Sequence, residues 1–193
     1  MLDGTARAVR WASGQVTELD ALPGQFYSAV NALSNADIAV GYAGAVSSVP
    51  RAVRWERTGK AHDLGTLRGD VESRAIGISD AGMVVGYSAG ADGRPRAVCW
   101  NRQGKISALT IQSPHVVSWA TAITEAGVIL GYASPVNGPD RAVLWDRSGK
   151  ITELPPLPGI TPRPPSPSIA TTWSSVCRTA GACAGTATAE SLN

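Results

Sequence analysis

Short apolar segments separated by polar turns recur along the sequence as far as residue 159. Four of these segments lie at residues 52–55, 62–64, 75–78 and 83–87. The turns at Gly59 and Gly82 contain the residue that reaches positive φ most easily, so the pattern predicts two successive hairpins, which together make a four-stranded antiparallel unit. The run Met83-Val84-Val85 lacks the alternation of a half-exposed strand. We therefore expect both faces of the sheet to be covered.

The same unit recurs with a period of 44 or 45 residues. The motif Arg-Ala-Val-x-Trp begins at Arg7, Arg51, Arg96 and Arg141. A four-stranded unit of about 40 to 45 residues that buries both faces against its neighbours is typical of a β-propeller blade. The sequence therefore predicts an all-β fold, a β-propeller-like array of four-stranded antiparallel blades with three complete blades plus one hairpin. A closed propeller uses roughly four to eight blades, so we expect no closed ring.

The repeats also set the predicted domain organisation. Blade 1 covers residues 1–50, blade 2 residues 51–95, blade 3 residues 96–140, and the first hairpin of blade 4 residues 141–159. Residues 160–193 lack the repeat and are rich in Pro, Ser, Thr and Ala. This composition is typical of a disordered tail. The second interpretation is an out-of-frame reading of the rest of blade 4, because back-translation read two bases later can give Val-Val-Val-Gly, with its Gly 45 residues after Gly131.

Four motifs in the second repeat carry a resemblance to a known family. They are Ala52-Val53-Arg54-Trp55, Asp63-Leu64-Gly65-Thr66-Leu67-Arg68-Gly69, Ser73-Arg74-Ala75-Ile76-Gly77-Ile78 and Gly82-Met83-Val84-Val85-Gly86. With them the chain resembles the HAF repeat family of probable extracellular repeat proteins, over residues 7 to about 159. Val replaces the family's Phe in every copy, and the third copy loses the Asp-Leu-Gly-Thr pattern. The resemblance implies a propeller-like β architecture and an extracellular location, and it supplies no catalytic residues.

Composition narrows the classes of function. The 193 residues include 17 Lys and Arg against 15 Asp and Glu, a net charge of +2, which lacks the basic footprint of a nucleic-acid-binding protein. No apolar run reaches the roughly 18 residues of a membrane span, and the start of the chain lacks a signal-peptide pattern. Cys99, Cys177 and Cys183 are spaced like neither a disulfide framework nor a zinc site. We expect no nucleic-acid partner, no membrane span, no metal and no cofactor, while the localisation stays unknown apart from the family resemblance.

The aromatic repeat positions have two interpretations. The tryptophans that close the Arg-Ala-Val-x-Trp motif are Trp11, Trp55, Trp100 and Trp145. We predict that they anchor the packing between blades, with the indole N–H satisfied locally, rather than stack on a sugar. The recurring glycines Gly41, Gly86 and Gly131 are predicted to be structural as well.

Variable loops on a rigid repeat scaffold are the usual place for recognition. One set lies between the second and third strands of each repeat, at residues 24–27, 68–72 and 112–117, and the other lies between blades, at residues 44–50, 88–95 and 134–140. We favour the first set because of its aromatic and charged side chains. The candidate ligand-binding residues are Phe26, Tyr27, Arg68, Asp70, Glu72, His115 and Trp119, and Trp119 is the best candidate for an exposed aromatic.

These observations leave three hypotheses about function. The first is a non-enzymatic scaffold or binding module, a fragment of a larger extracellular or envelope protein that binds a protein or glycan and self-associates through open blade edges. The second is a carbohydrate-active propeller enzyme, which needs two carboxylates at one centre, and Asp70 and Glu72 are the only pair worth considering. The third is a truncated reading frame without function. We expect the first, and therefore no enzymatic activity.

One pair of positions varies together between repeats. A base precedes Trp and an acid precedes Leu in the first two repeats, as in Arg54 and Asp63, whereas the third repeat has Cys99 and Ala108. Opposed side chains on one face of a hairpin lie close enough to form such a pair. The fourth repeat, with Leu144 and Glu153, breaks this rule, so three repeats carry the prediction of an ion pair between Arg54 and Asp63.

Overall fold

A computed structural model describes residues 6–12, 14–45, 48–113, 115–135 and 138–156. The strands are β1 (Val9–Ala12), β2 (Gln15–Glu18), β3 (Tyr27–Leu33), β4 (Ala39–Gly44), β5 (Arg51–Trp55), β6 (Ala61–Asp63), β7 (Asp70–Ile78), β8 (Val84–Gly90), β9 (Pro95–Trp100), β10 (Ile106–Ala108), β11 (His115–Ile123), β12 (Ile129–Pro135), β13 (Arg141–Trp145) and β14 (Ile151–Glu153). These described residues form no helix. The predicted tail, residues 160–193, lies outside them.

The strands form three four-stranded sheets and one two-stranded sheet, and all strand pairs are antiparallel. We call β1–β2 the leading hairpin, and β3–β6, β7–β10 and β11–β14 the first, second and third sheets. Each four-stranded sheet is a meander in which neighbours in sequence are neighbours in space. The predicted all-β, propeller-like array with three complete blades and one hairpin is confirmed, and the strands of the described residues form no closed ring.

The sheets are shifted by half a repeat from the predicted blade boundaries. Strand β4, at the end of one sequence repeat, pairs with β5, at the start of the next, from Ala39 opposite Trp55 to Ala43 opposite Arg51. The sheets therefore cover residues 27–63, 70–108 and 115–153, rather than 51–95 and 96–140. A period of 45 residues looks the same wherever it is divided, so the repeat alone did not locate this boundary.

The single hairpin is also at the other end of the array. We predicted it at residues 141–159, but β13 and β14 complete the third sheet there. The incomplete sheet is the leading hairpin, whose strand β1 corresponds to β5 in the repeat and has no strand in the position of β4 among the described residues. The number of strands was predicted correctly, and their grouping into sheets was not.

Three apolar clusters hold the array together, one between each pair of neighbouring sheets. The cluster between the leading hairpin and the first sheet includes Ala8, Leu19, Val53 and Trp55. The clusters that follow use the equivalent small and β-branched residues, with Val40, Val98 and Trp100 in one and Val85, Val143 and Trp145 in the other. The second sheet contributes to clusters on both of its faces, in agreement with the unbroken apolar run that begins β8.

Three of the four repeat tryptophans are fully buried and cross from one sheet to the previous one. The indole N–H groups of Trp55, Trp100 and Trp145 donate to the carbonyl oxygens of Asp20, Leu64 and Thr110 at 2.8, 2.8 and 2.7 Å. Their acceptors lie 35 or 36 residues upstream in the preceding sheet, so each of these three indole groups links two neighbouring sheets. Each such tryptophan needs a preceding sheet.

Trp11 is not an anchor, contrary to the prediction. Its side chain is 74% exposed, because no sheet precedes β1 in the described part of the chain. The repeated glycines behave as predicted. A Cβ atom at Gly41, Gly86 or Gly131 would clash with the carbonyl oxygen of the residue on the neighbouring strand. These glycines allow the close approach of two strands, which no larger residue permits.

A buried serine joins each sheet to the one before it. The hydroxyl oxygens of Ser28, Ser73 and Ser118 accept hydrogen bonds from the amides of Ala8, Ala52 and Ala97 at 2.9, 3.0 and 2.9 Å. The Ser73 hydroxyl also donates to the carbonyl oxygen of Gly65 at 2.8 Å. These bonds satisfy backbone groups at the point where the chain passes between sheets, which explains why Ser recurs there.

The predicted ion pair between Arg54 and Asp63 is wrong. Arg54 lies opposite His62 and Asp63 lies opposite Val53, so Arg54 and Asp63 point to opposite faces of the hairpin. Asp63 instead pairs with Arg51 at 3.1 Å, and Arg54 donates to the carbonyl oxygen of Arg102 at 2.9 Å, in the next sheet. The covariation therefore reflects two separate contacts.

Candidate binding cleft

Both sets of variable loops lie at one end of the second sheet. The β6–β7 loop leads into Asp70, the β8–β9 loop follows Gly90, and these two residues pair directly across the strands. We had treated the two sets as alternatives, but in this sheet they form the walls of the same cleft. The cleft has a volume of about 430 Å³ and is open to solvent. Its lining residues are Arg68, Gly69, Asp70, Gly90, Ala91, Asp92, Arg94, Arg96 and Val116.

Asp70 is the fixed centre of this cleft. Its side chain is only 4% exposed, and its carboxylate accepts from Arg96 Nη2 at 2.5 Å and from the Ser88 hydroxyl at 2.7 Å. Such charge-assisted bonds hold both the carboxylate and the guanidinium in place. Arg96 keeps a side chain that is 47% exposed, so it still presents N–H groups to solvent.

Two further arginines stand at the rim. Arg94 lies 3.8 Å from Asp92, and both side chains are more than half exposed. Arg68 is exposed and makes no hydrogen bond or ion pair with any residue that the structure describes. With three arginines against two aspartates, the cleft has an excess of positive charge, and the guanidinium of Arg68 is not neutralised by an internal partner.

Of the predicted binding residues, only Arg68 and Asp70 line the cleft. Glu72 is two residues further along β7 and is occupied there, because its carboxylate accepts from the Tyr87 hydroxyl at 2.9 Å and from Arg74 Nε at 3.3 Å. Burial raises the pKa of Tyr87 above its ordinary value, and the hydrogen bond to Glu72 raises it further although Arg74 opposes this. The Glu72 and Tyr87 pair therefore stays intact through the neutral range.

Phe26 and Tyr27 lie at the corresponding end of the first sheet. Phe26 precedes β3 and is 54% exposed. Tyr27 packs edge-on against Tyr42, with 6.2 Å between ring centroids. On the other side, the Tyr42 ring lies 4.4 Å from the guanidinium carbon of Arg74. Tyr27 therefore belongs to a packed aromatic group, and Phe26 remains available at the surface.

His115 and Trp119 differ from what we expected. His115 is the first residue of β11, its side chain is 8% exposed, and its Nδ1 lies 2.9 Å from the carbonyl oxygen of Gln112. Trp119 was the predicted exposed aromatic, but it is 8% exposed and stacks on Tyr132 with 4.7 Å between centroids. The reason is the cross-strand pairing of Trp119 with Tyr132, which places the indole against the ring.

Sequence reasoning missed the contribution of Arg94, Arg96 and Val116. The sequence did contain a signal for Val116. Phe26, Val71 and Val116 follow one another at the repeat period of 45 residues, which indicates one apolar position near the start of β3, β7 and β11. Val71 and Val116 lie at register shifts of β7 and β11. Such bulges redirect a side chain at a strand end. Val71 is 40% exposed, and Val116 is the residue of this row that lines the cleft beside the arginines.

Two other kinds of site are not found among the described residues. No group of three or more His, Cys, Asp or Glu side chains is placed to hold a metal ion. No helix long and apolar enough to cross a membrane occurs in the described part of the chain.

No protein-family model and no curated protein matches the chain. Among solved structures, the chain is similar to the crystal structure of TolB from Acinetobacter baumannii, with a TM-score of 0.52 and 14% sequence identity. The similarity covers 75% of this chain and 36% of the TolB chain, so the chain spans about a third of that protein's length. At this identity the likeness shows the fold alone, which is that of β-propeller blades.

Proposed function

We propose that the chain is a non-enzymatic binding module on a propeller-like scaffold, and that its cleft binds an acidic segment of a protein ligand. The observation that carries the proposal is the cleft between the β6–β7 and β8–β9 loops, with its exposed, unneutralised Arg68 beside the fixed pair of Arg96 and Asp70. The resemblance to the HAF repeats supports the scaffold part of the proposal, since that family supplies no catalytic residues.

The charge of the cleft favours an anionic ligand. Guanidinium groups bind carboxylates through two parallel hydrogen bonds, and Asp70 already positions Arg96 for such contacts at the surface. Arg68 and Arg94 add donors from the two loops that form the walls. An exposed ion pair such as Arg94 with Asp92 is weak, so an incoming carboxylate can compete for Arg94.

The apolar row favours a peptide over a glycan. Phe26 and Val71 are 54% and 40% exposed at the starts of successive inner strands, and Val116 lines the cleft itself. A peptide offers apolar side chains to such a row and acidic side chains to the arginines. A glycan would need flat aromatic faces at the cleft, and none of the described residues that line the cleft is aromatic.

The two carboxylates considered for catalysis are better explained as structural groups. Asp70 is held by Arg96 and Ser88, and Glu72 by Tyr87 and Arg74. A glycosidase needs one carboxyl group that gives up a proton and a second that attacks or activates water at the same centre. Both carboxylates are occupied by these contacts within the fold, so neither is free to act on a substrate.

Titration calorimetry with a synthetic peptide of alternating Glu and Leu tests the proposal, with a Lys and Leu peptide as the control ligand. We expect the acidic peptide alone to bind, with an affinity that falls as salt rises. The double variant Arg68→Ala with Arg94→Ala should weaken binding about tenfold or more, because two charge-assisted contacts are lost.

The matched control is Arg57→Ala. Arg57 has a side chain that is 78% exposed and pairs with Asp37 outside the cleft. It therefore reports on the general effect of removing a surface charge. Equal loss of binding in Arg57→Ala and in the double variant would show non-specific attraction and contradict the proposal. Absence of binding by the acidic peptide at low salt would also overturn it.

A further inference from the structure

The two ends of the array both expose apolar faces, although end repeats of stacked structures usually have a polar outer face. At one end, Val9, Trp11 and Val16 of the leading hairpin are 54%, 74% and 54% exposed. They lie on one face, because Trp11 pairs with Val16 across the hairpin and Val9 is two residues from Trp11. We call this surface the tryptophan face.

At the opposite end of the array, the outer face of the third sheet is exposed. In the first and second sheets, the equivalent face packs against the tryptophan of the next sheet. Leu130 of the third sheet is 37% exposed, whereas Val85 and Val40, one and two repeats upstream, are 0% exposed. Ala142 is exposed, whereas its counterparts Ala52 and Ala97 are 0% exposed. We call the surface of Leu130, Ala142, Leu144 and Leu154 the leucine face.

The leucine face is more apolar than its counterparts in the leading hairpin and the first sheet. Leu144 stands at the repeat position where the first two repeats have Arg10 and Arg54. Those arginines reach forward to carbonyl oxygens in the next sheet, at Arg57 and Arg102. The counterpart in the second sheet is Cys99, which is buried in the apolar cluster between the second and third sheets. Leu144 thus resembles Cys99 rather than the two arginines, and an aliphatic side chain at this position suits a dry interface.

The two faces also complement each other in the way that neighbouring sheets do. Each buried tryptophan donates to the carbonyl of the repeat's Leu or of the residue after it in the preceding sheet, as Trp100 does to Leu64 and Trp145 to Thr110, at 2.8 and 2.7 Å. The indole N–H of Trp11 has no such acceptor among the described residues. The equivalent carbonyl at the other end of the array, at Leu154 after β14, receives no tryptophan N–H from the described residues. A donor end and an acceptor end are present on the same chain.

We infer that copies of this chain associate head to tail, with the tryptophan face of one copy packed on the leucine face of the next. The interface continues the stacking already seen between the sheets, and it is independent of the binding function proposed above. Such a contact uses two different surfaces, so it builds a closed ring where the rotation allows and a filament where it does not.

Sedimentation velocity over a range of protein concentrations tests the association. The wild-type chain should form species larger than a monomer. Trp11→Glu should abolish this, and so should Leu130→Glu, because each places a charge in an apolar contact. Both side chains are exposed in the single chain, so neither change should alter the circular dichroism spectrum or the melting temperature of the monomer.

Mixing the two variants separates this arrangement from a symmetric one. The Trp11→Glu copy keeps its leucine face and the Leu130→Glu copy keeps its tryptophan face. Their mixture should therefore form a heterodimer and nothing larger, because the two remaining faces both carry a negative charge and repel each other. The double variant has a charge on both faces and should therefore stay monomeric at every concentration.

Three results would overturn the inference. A wild-type chain that is monomeric at every protein concentration would mean that the two faces do not drive association. Association of either single variant alone would indicate a contact between like faces. A mixture that fails to form heterodimers would show that the two faces do not contact each other.

Discussion

The same five residues, Arg-Ala-Val-Arg-Trp, occur at the start of β1 and in β5, and their environments differ completely. Val53 and Trp55 are 0% exposed, while Val9 and Trp11 are 54% and 74% exposed. Both copies form the first strand of an antiparallel hairpin with a Gly turn, so the local structure is the same. The difference arises because a sheet precedes β5 and none precedes β1 among the described residues. Local sequence determines the hairpin, and the neighbouring sheet determines burial.

The incomplete leading hairpin also affects the sheet that follows it. Val30 and Leu33 of β3 are 39% and 60% exposed, whereas Ala75 and Ala120, the repeat equivalents of Val30, are 0% exposed. The leading hairpin covers the half of the first sheet that contains β5, and no described strands cover the half that contains β3. The stability of each sheet in this array therefore depends on the contacts that it makes with the neighbouring sheets.

The largest expected effect is the loss of a buried tryptophan. Trp55→Ala should destabilise the chain by about 3 to 5 kcal/mol, because it leaves a large cavity and an unsatisfied carbonyl at Asp20. The identical change in the identical pentapeptide, Trp11→Ala, should change stability by less than about 0.5 kcal/mol. Urea unfolding at a concentration below that of association measures both.

If Trp55→Ala does not fold, Trp55→Phe allows the same comparison between positions 55 and 11. Trp55→Phe retains an aromatic ring and removes the N–H that donates to Asp20 at 2.8 Å, so it should be destabilised by less than the alanine variant. Trp11→Phe is its matched control. Similar losses at positions 11 and 55 would contradict the view that the preceding sheet makes the difference.

The buried serines provide the next effect in size. Ser73→Ala removes an oxygen that accepts from Ala52 at 3.0 Å and donates to Gly65 at 2.8 Å, within a residue that is 0% exposed. Leaving these groups unpaired should cost about 1 to 3 kcal/mol. Ser28→Ala breaks the equivalent bond to Ala8, but the leading hairpin can detach while the other sheets stay folded, so its cost in global stability should be smaller.

Hydrogen exchange distinguishes the two serine variants. Ser28→Ala should increase exchange at the amides of β1 and β2 alone, whereas Ser73→Ala should increase it across the first and second sheets. If Ser28→Ala instead accelerated exchange throughout the array, the leading hairpin would be an integral part of one cooperative unit, and the contrast between the two regions would be lost.

Much of this architecture follows from the sequence, for a physical reason. Turn glycines and apolar runs act locally, so the strands and their number were predictable from residues such as Gly59 and Val84. The division into sheets was not, because β4 pairs with β5 across the repeat boundary and a periodic pattern does not mark that boundary. The prediction of an ion pair between Arg54 and Asp63 was wrong for a related reason. A shift of one residue in the register of β5 and β6 moves each side chain to the other face of the hairpin.

The candidate site was predicted in part. Arg68 and Asp70 were found because they stand out in a variable loop, whereas Arg96 resembles its repeat counterparts Arg51 and Arg141 in sequence. Arg51 and Arg141 pair with Asp63 and Glu153 across the hairpin, at 3.1 and 3.3 Å. The third repeat has Ala108 at the corresponding acidic position, so Arg96 turns to Asp70 instead. A substitution at one position thus changes the partner of another, which a single repeat does not reveal.

The smallest expected effect concerns a turn whose chemistry is entirely local. Asp146 Oδ1 accepts from the amides of Ser148 and Lys150 at 2.8 and 3.0 Å and from the Ser148 hydroxyl, at the turn between β13 and β14. The hydrogen bond from the Ser148 hydroxyl, with the amide of Lys150, lowers the pKa of Asp146 below its ordinary 3.8. Asn101 occupies the equivalent position and accepts from Gln103 and Lys105 at 3.0 and 2.9 Å, so a carbonyl oxygen serves the same turn.

Asp146→Ala should therefore lower the melting temperature slightly at neutral pH, and Asp146→Asn should lower it less. A lowered pKa in the folded state means that the stabilising contribution is complete above pH 3.8 and is lost as the pH falls through the lower folded value. The difference in melting temperature between the wild-type chain and Asp146→Ala should accordingly shrink below pH 3.8. Thermal melts between pH 2 and pH 6 measure it, and a difference that grew as the pH fell would show that the turn, unlike the tryptophans, does not act through the bonds seen here.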